Sequence, residues 1–285
     1  MVKLNILITG GGGFIGKSIY EGLKQQYHVL APSHNELDLL NLTQLCDFII
    51  NNKIDCIIHA AILIARKDKL ATPEMSYYNL QMFENIIHAS RKCKYFINFG
   101  AGSEFGTYPI DNISMCKEDD LFNKLSTECG GVMKSIISKR MLHIKQPTCF
   151  NLRVAGCFGQ YEKNDRFIKS NIFRAIKGEP INIHQNRLMD FIYIDDLLSI
   201  VKFILNNPDA PKDINCTYIH KYTLYDIANI IMNVTDRHVP ITIEKIGMDS
   251  KYTLDNTRLA SLNIPMVGLP NGIQQMYRKM IECPS

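Results

Sequence analysis

The chain has no tryptophan, no two cysteines at C-x-x-C spacing and no two histidines at H-x-x-x-H spacing. Nine cysteines stand singly along the sequence, which excludes zinc knuckles and thioredoxin-type chemistry and predicts buried, reduced thiols. The eight histidines are too scattered for a local metal-ligand set, so no metal is expected. No window reaches the 18 or so apolar residues of a membrane span. The opening run Leu4-Asn5-Ile6-Leu7-Ile8 is too short for a secretory signal and has no small-residue cleavage site after it. These absences predict a cytoplasmic protein. Charge of one sign is scarce too: 32 Lys and Arg stand against 28 Asp and Glu, a net +4. The densest run, Arg66-Lys67-Asp68-Lys69, is interrupted by an acid and reads as a solvated segment, so neither nucleic acid nor a membrane surface is expected as a partner.

What is present is enough apolar sequence for a large core. At 285 residues and 46% hydrophobic composition, disorder and disulfide-held miniproteins are excluded. Short apolar runs alternate with longer amphipathic ones over the first 160 residues. Strands are predicted at 4–9, 28–31, 55–59, 95–99 and 148–154, and helices at 14–26, 42–53, 73–92 and 131–145. That alternation predicts an α/β fold with a parallel sheet and right-handed crossovers. After Phe158-Gly159 the rhythm changes and prolines punctuate the chain. The expected organisation is one domain over 1–160 and a smaller lobe over 161–285, interleaved with the last strands of the sheet.

Between the first strand and the first helix lies Thr9-Gly10-Gly11-Gly12-Gly13-Phe14-Ile15-Gly16. Gly10, Gly13 and Gly16 follow G-x-x-G-x-x-G. The first glycine permits a tight turn, the second a close backbone approach to a pyrophosphate, the third close packing of helix on strand. Phe14 and Ile15 open the helix whose free N–H groups face the phosphates. In such folds an acid about 20 residues on holds the adenosine ribose. That position falls near Ser33, with Glu36 and Asp38 slightly late. Without an acid there, the choice tilts toward NADP, with NAD as the alternative, yet no arginine is present for the 2′-phosphate. Ser33, His34 and Lys17 are the donors on hand.

The glycine spacing resembles that of the extended short-chain dehydrogenase/reductase family, the NAD-dependent epimerases and dehydratases that modify nucleotide-linked sugars. Asp55-Cys56-Ile57-Ile58-His59-Ala60-Ala61 is similar to the family's D-x-x-I-H-x-A-A segment beside the cofactor. Asp38-Leu39 resembles the segment flanking the adenine, and Asn79 an asparagine of the following helix. Asn98 to Gly106, Leu152-Arg153 through Phe158-Gly159, and Asp190 to Asp196 resemble later segments, in family order. The resemblance implies a Rossmann-type, doubly wound seven-stranded sheet, with a dinucleotide-binding domain over 1–160 and a C-terminal substrate lobe over 161–285 covering a nucleotide-sugar, and homodimers through two long helices around Phe83 and Ile136. It implies cofactor contacts from Ala60, Ala61, Ile62, Asp38, Leu39 and Lys134.

The family's chemistry takes a tyrosine and a lysine one turn apart on a helix, so that they share a face. In Cys129-Gly130-Gly131-Val132-Met133-Lys134, Lys134 matches the lysine and Gly130 stands at the tyrosine. Ala101 stands at the partner serine. Ser103, two residues on, would share its face if the segment stayed extended. Lys134 and Ser103 are therefore the catalytic candidates. In the lobe, Met189 occupies the position of a substrate-gripping arginine; Arg187, two residues earlier, and Arg258 are the substrate-binding candidates. Two readings stay open: an NAD(P)-dependent nucleotide-sugar epimerase, reductase or dehydratase with an atypical site, or a non-catalytic regulatory subunit that keeps the cofactor cradle.

Overall fold

The computed structural model describes residues 3–64, 72–107 and 109–282; the charged run at 66–69 lies outside the described residues. In chain order the elements are β1 (Asn5–Thr9), α1 (Phe14–Leu23), β2 (His28–Leu30), α2 (Leu42–Asn51), β3 (Cys56–His59), α3 (Pro73–Ala89), β4 (Tyr95–Ala101), β5 (Ile113–Cys116), α4 (Cys129–Met141) and β6 (Thr148–Val154). There follow β7 (Cys157–Phe158), α5 (Phe167–Ile176), β8 (Ile181–Asn186), β9 (Ile192–Tyr193), α6 (Ile194–Asn206), β10 (Asp213–Cys216), α7 (Leu224–Thr235), β11 (Ile241–Met248), β12 (Tyr252–Leu254), α8 (Thr257–Ala260) and α9 (Leu269–Glu282).

The chain divides into two compact units, 1–107 with 120–153 and 208–214, and 108–119 with 154–207 and 215–285. The first unit holds the Rossmann-type sheet, ordered β2-β1-β3-β4-β6-β10. Ile6, Leu7 and Ile8 of β1 pair in parallel with Cys56, Ile57 and Ile58 of β3, and Asn5 to Leu7 with His28 to Leu30 of β2. Strands buried on both faces are near-continuous apolar runs, which is how β1, β3 and β4 read. Leu7, Ile57 and Phe96 of the sheet share one core with Leu45 and Ile49 of α2, Phe83 and Ile86 of α3, and Met133 and Ile137 of α4. Asn41 caps α2 by accepting from the Gln44 N–H, and Thr72 caps α3 ahead of Pro73 at its first position.

The sheet has six strands where the family resemblance implied seven. Residues 31–41, between β2 and α2, form successive turns closed by Glu36 N–H to Ser33 C=O and Asn41 N–H to Asp38 C=O. Eleven residues are too few for a further strand with its crossover. A second difference lies at α4, which starts at Cys129 rather than Gly131 and so includes Gly130.

The second unit is built from short parallel pairs, β8 with β11, β5 with β12 and β7 with β9. Asp196, at the start of α6, accepts from the Tyr218 hydroxyl and from the backbone N–H groups of Val267 and Gly268, which ties the approach to α9 onto α6.

Candidate functional site

The glycine turn is shaped by contacts that exclude side chains. Gly10 sits at φ +73°, and a Cβ there would lie 2.5 Å from the Ala61 nitrogen. A Cβ on Gly16 would lie 2.2 Å from the Gly10 carbonyl oxygen. Gly13 N–H donates to that same oxygen at 2.9 Å, closing the turn. Gly12 has nothing within 4 Å of an added Cβ and faces open space. The N-terminus of α1 carries no side-chain cap and no acid in its first turn. Its N–H groups and dipole are thus left for an external anion. Phe14 and Ile15 are only partly buried, and Gly12 and Gly13 are exposed. A cradle of backbone donors with no room for a Cβ at Gly10 or Gly16 fits a dinucleotide pyrophosphate.

Two loops flank the cradle. After β3, Ala60 N–H donates to the Thr9 carbonyl, and Ala61 touches Gly10. Ile62 is exposed at the mouth. Asn79, buried on α3, pins this loop by two hydrogen bonds to the Leu63 backbone, at 2.8 and 2.9 Å. After β2, a Cβ on Gly11 would meet the Ala31 methyl at 2.7 Å, which sets residues 31–36 beside the cradle. Here Ser33 donates both its N–H and its hydroxyl to Glu36, each at 2.7 Å. Those two bonds hold the Glu36 carboxyl below the usual carboxylate range. The acid that counting placed nowhere is therefore delivered to Ser33 by a turn, and the S-x-x-E spacing of Ser33 and Glu36 is the signal that marks it. Asp38 turns inward on its own loop, accepting from Leu40 N–H. The Leu39 side chain lies in the core with Leu37 and Leu45, and its carbonyl accepts from the Asn85 amide.

At the reacting end, Lys134 of α4 donates to the Phe99 carbonyl of β4 at 2.6 Å. Burial pushes its pKa down, and the Glu104 carboxylate opposes that. Gly130, one turn before, shares its face and offers no side chain. Gly131 abuts the 102–105 turn: a Cβ there would lie 2.3 Å from the Ser126 hydroxyl and 2.8 Å from the Ser103 carbonyl. Ser103 thus lies against the start of α4, but the alternation that would give it Ala101's facing stops short. Extended backbone ends at Ala101, and Gly102–Phe105 is a 3-10 turn. His59, at the end of β3, is buried and neutral: desolvation and then the charge of Lys134 push its pKa down to about 3, and its Nδ1 shares a hydrogen bond with Thr9 Oγ1 at 2.7 Å.

Beneath Lys134 lies a group of charges that motif matching assigned no role. Arg153 and Glu104 are both sealed from solvent and paired at 2.8 Å, and Arg153 also reaches Asp213 at 2.9 Å. A charge of each sign within or just after apolar strand sequence is itself a signal, since a lone buried charge is too costly to keep.

In the second unit, Arg187 follows β8 and is paired with Asp249 at 2.8 Å. Arg258 of α8 meets Asp119 at 2.9 Å and Glu118 at 3.8 Å. Both candidate arginines hold carboxylates, and Arg187 is mostly buried. No cluster of metal-ligating side chains occurs among the described residues.

Residues 6–217 match the NAD dependent epimerase/dehydratase family. Over nearly full length the chain is 25% identical to the GDP-L-colitose synthase of Yersinia pseudotuberculosis, covering 95% of this chain and 96% of that one. It is 26% identical to the ADP-L-glycero-D-manno-heptose-6-epimerase of Brachyspira hyodysenteriae, covering 97% and 98%. Among solved structures, the NADP-bound GDP-mannoheptose C4 reductase of Campylobacter jejuni superposes with a TM-score of 0.82 at 20% identity, over 98% of each chain.

Proposed function

The chain belongs to the NAD dependent epimerase/dehydratase family, and on that premise we propose that it binds NADP or NAD and acts on the sugar of a nucleotide-sugar, as an epimerase, reductase or dehydratase with an altered proton-handling site. The observation that carries this reading is the glycine cradle under an uncapped helix N-terminus, with Lys134 at the end of β4. Gly10, Gly13 and Gly16 let the backbone approach the pyrophosphate; Phe14 and Ile15 supply N–H groups; Ser33 and Asp38 stand on the adenosine side. Ala60, Ala61 and Ile62 line the opposite wall. Lys134 turns from the Phe99 carbonyl toward the nicotinamide ribose. When bound, the nicotinamide supplies a carbon that takes up or returns a hydride. Oxidising an alcohol carbon also releases a proton, and reduction takes one up. Gly130 and Ala101 carry no group for that proton, so it falls to the Lys134 ammonium, the Ser103 hydroxyl or water. Losing a positioned acid or base costs about 10²–10⁴ in rate, so a slow enzyme is expected. In the lobe, Arg187 and Arg258 are assigned to the substrate diphosphate, which competes with their carboxylate partners.

No helix among the described residues is long and apolar enough to cross a membrane. The eight free cysteines among the described residues support a cytoplasmic protein. The exposed Tyr77 of α3 and Val132 and Ile136 of α4 support a homodimer through those two helices.

Gly130 and Ala101 favour a second reading, a regulatory subunit that binds cofactor and nucleotide-sugar without turnover. Calorimetry with NADPH and NADH, followed by incubation with a panel of 4-keto nucleotide-sugars and mass analysis, separates the two. Binding with slow conversion supports the enzyme, binding alone supports the regulatory subunit, and no binding of either dinucleotide removes both.

A further inference from the structure

We propose that Glu104 is a positioning residue: it clamps the end of β4 to α4 and thereby sets where the Lys134 ammonium stands. The inference rests on the cofactor reading above and deepens it at the same site.

The geometry comes from two strand neighbours and one helix. Glu104 Oε1 accepts the Ala101 N–H at 2.7 Å, the residue where β4 ends. Its Oε2 accepts the Ser138 hydroxyl of α4 at 2.6 Å and the Arg153 Nε of β6 at 2.8 Å. Its backbone carbonyl faces the Ser135 hydroxyl, one residue past Lys134, at 3.4 Å. Asn151 extends the group: its amide donates to Ser138 Oγ at 2.9 Å, and its oxygen accepts from Asn98 at 2.8 Å. The carboxylate fills its site to contact. A Cβ on Gly100 would stand 2.5 Å from Glu104 Oε1, so glycine is the residue that lets β4 pass over it.

Lys134 and Glu104 therefore share two supports. Lys134 bonds the Phe99 carbonyl while Glu104 bonds the Ala101 N–H, on the same strand end. Ser135 and Ser138, which meet Glu104, lie on the helix that carries Lys134. A fully desolvated carboxylate acts on a neighbouring ammonium across poorly screened space. The titratable groups that bear on Lys134 are Glu104, from the turn after β4, and His59, from β3, which is uncharged over the neutral range. Simple fold support does not require a charge here. A buried pair replaced by apolar groups of similar volume is often neutral in stability.

The test is the dissociation constant of NADPH, by calorimetry, from pH 7 to 10. In the unsubstituted protein, affinity falls on an alkaline limb as Lys134 loses its proton; Lys134→Arg, whose cation does not titrate there, abolishes the limb and so assigns it. Glu104→Gln moves the limb to lower pH and weakens binding at pH 8 by roughly threefold or more. Should Glu104→Gln strand Arg153 and unfold the chain, Glu104→Gln with Arg153→Met and Asp213→Asn removes all three charges of the group and reports the same limb. A limb at its original pH in whichever variant folds overturns the proposal. Failure of both variants to fold overturns it too, leaving Glu104 a stability residue. No NADPH or NADH binding by the unsubstituted protein instead defeats the cofactor reading itself.

Discussion

Thr9 Oγ1 and His59 Nδ1 lie 2.7 Å apart, both buried, joining the ends of β1 and β3 directly under the glycine cradle. A histidine there stays neutral down to about pH 3, because charging it means placing a cation in a dry site next to Lys134. The unfolded chain binds that proton near pH 6.5. Between those values the unfolded state holds more protons, so the stability contribution is full above pH 6.5 and is lost as pH falls toward 3. His59→Gln, neutral at every pH, is expected to flatten this acid limb. Thermal melts of both proteins at pH 4, 5, 6 and 7 check it: the wild type loses more of its Tm than the variant on acidification, and parallel curves refute the assignment.

The two kinds of glycine in the cradle separate by substitution. Gly16→Ala drives a methyl to 2.2 Å from the Gly10 carbonyl, a contact with backbone that cannot rotate away. The expected result is loss of a few kcal/mol, on the order of other overpacked sites, together with loss of NADPH binding. Gly12→Ala meets nothing within 4 Å. Its stability is expected within about 0.5 kcal/mol of wild type, while its methyl intrudes where the phosphates approach and weakens binding. Denaturation midpoints paired with calorimetry give both quantities for each variant.

How far the sequence alone reached follows from the range of each physical signal. Gly10, Gly13 and Gly16 were readable because their spacing packs two exclusions of a Cβ, at Gly10 and Gly16, and the turn-closing Gly13 N–H into seven residues. The order of the sheet strands and their helices through β6 was readable because apolar period is local, and ends slipped by only a few residues, as at α4; the short β5, outside that sheet, was missed. The Glu104–Arg153 pair was not, since its partners are 49 residues apart and meet only because β4 and β6 are neighbours in the sheet. The facing of Ser103 was not legible because a two-residue period holds only while the chain is extended, and it turns at Gly102. The inward facing of the Leu39 side chain was not legible because a motif match says which residues are similar, not which way each side chain points. Glu36 lay in plain view, but a count of residues cannot see that a turn carries it back to Ser33.

Gly130 is the position at which the proposed proton-handling gap is most simply tested. It lies in the first turn of α4, half-buried, four residues before Lys134. A tyrosine there shares the Lys134 face, and the ammonium lowers the phenol's pKa from about 10. Gly130→Tyr is expected to raise turnover of a 4-keto nucleotide-sugar at least tenfold, the low end of what a positioned acid supplies. Gly131→Tyr is the control: it drives a side chain into Ser126 and the Ser103 backbone and is expected to lower stability and activity together. Equal rates for Gly130→Tyr and wild type, with cofactor bound, would mean that the proton path does not pass this face.

Glu162 gives the opposite pH sign to His59. It is buried in the second unit between β7 and α5, and its Oε1 finds no hydrogen-bond donor among the described residues. The neighbouring Lys169 ammonium is spent on backbone carbonyls, those of Gln160 at 2.8 Å and of Glu162 itself at 2.9 Å. Burial pushes the carboxyl's pKa up to about 8, with Arg166 and Lys169 opposing. The native state therefore holds a proton that the unfolded chain releases near pH 4.5. Stability falls as pH rises from that value through 8, and the loss is complete above it. Glu162→Gln keeps the neutral shape without the titration. The variant is expected to match wild type near pH 5 and to exceed it by on the order of 2–4 kcal/mol at pH 9. Urea denaturation across pH 5 to 9 measures the difference directly. A difference that stays constant with pH would show that Glu162 is ionised in the native protein throughout, with a donor near Oε1 satisfying it.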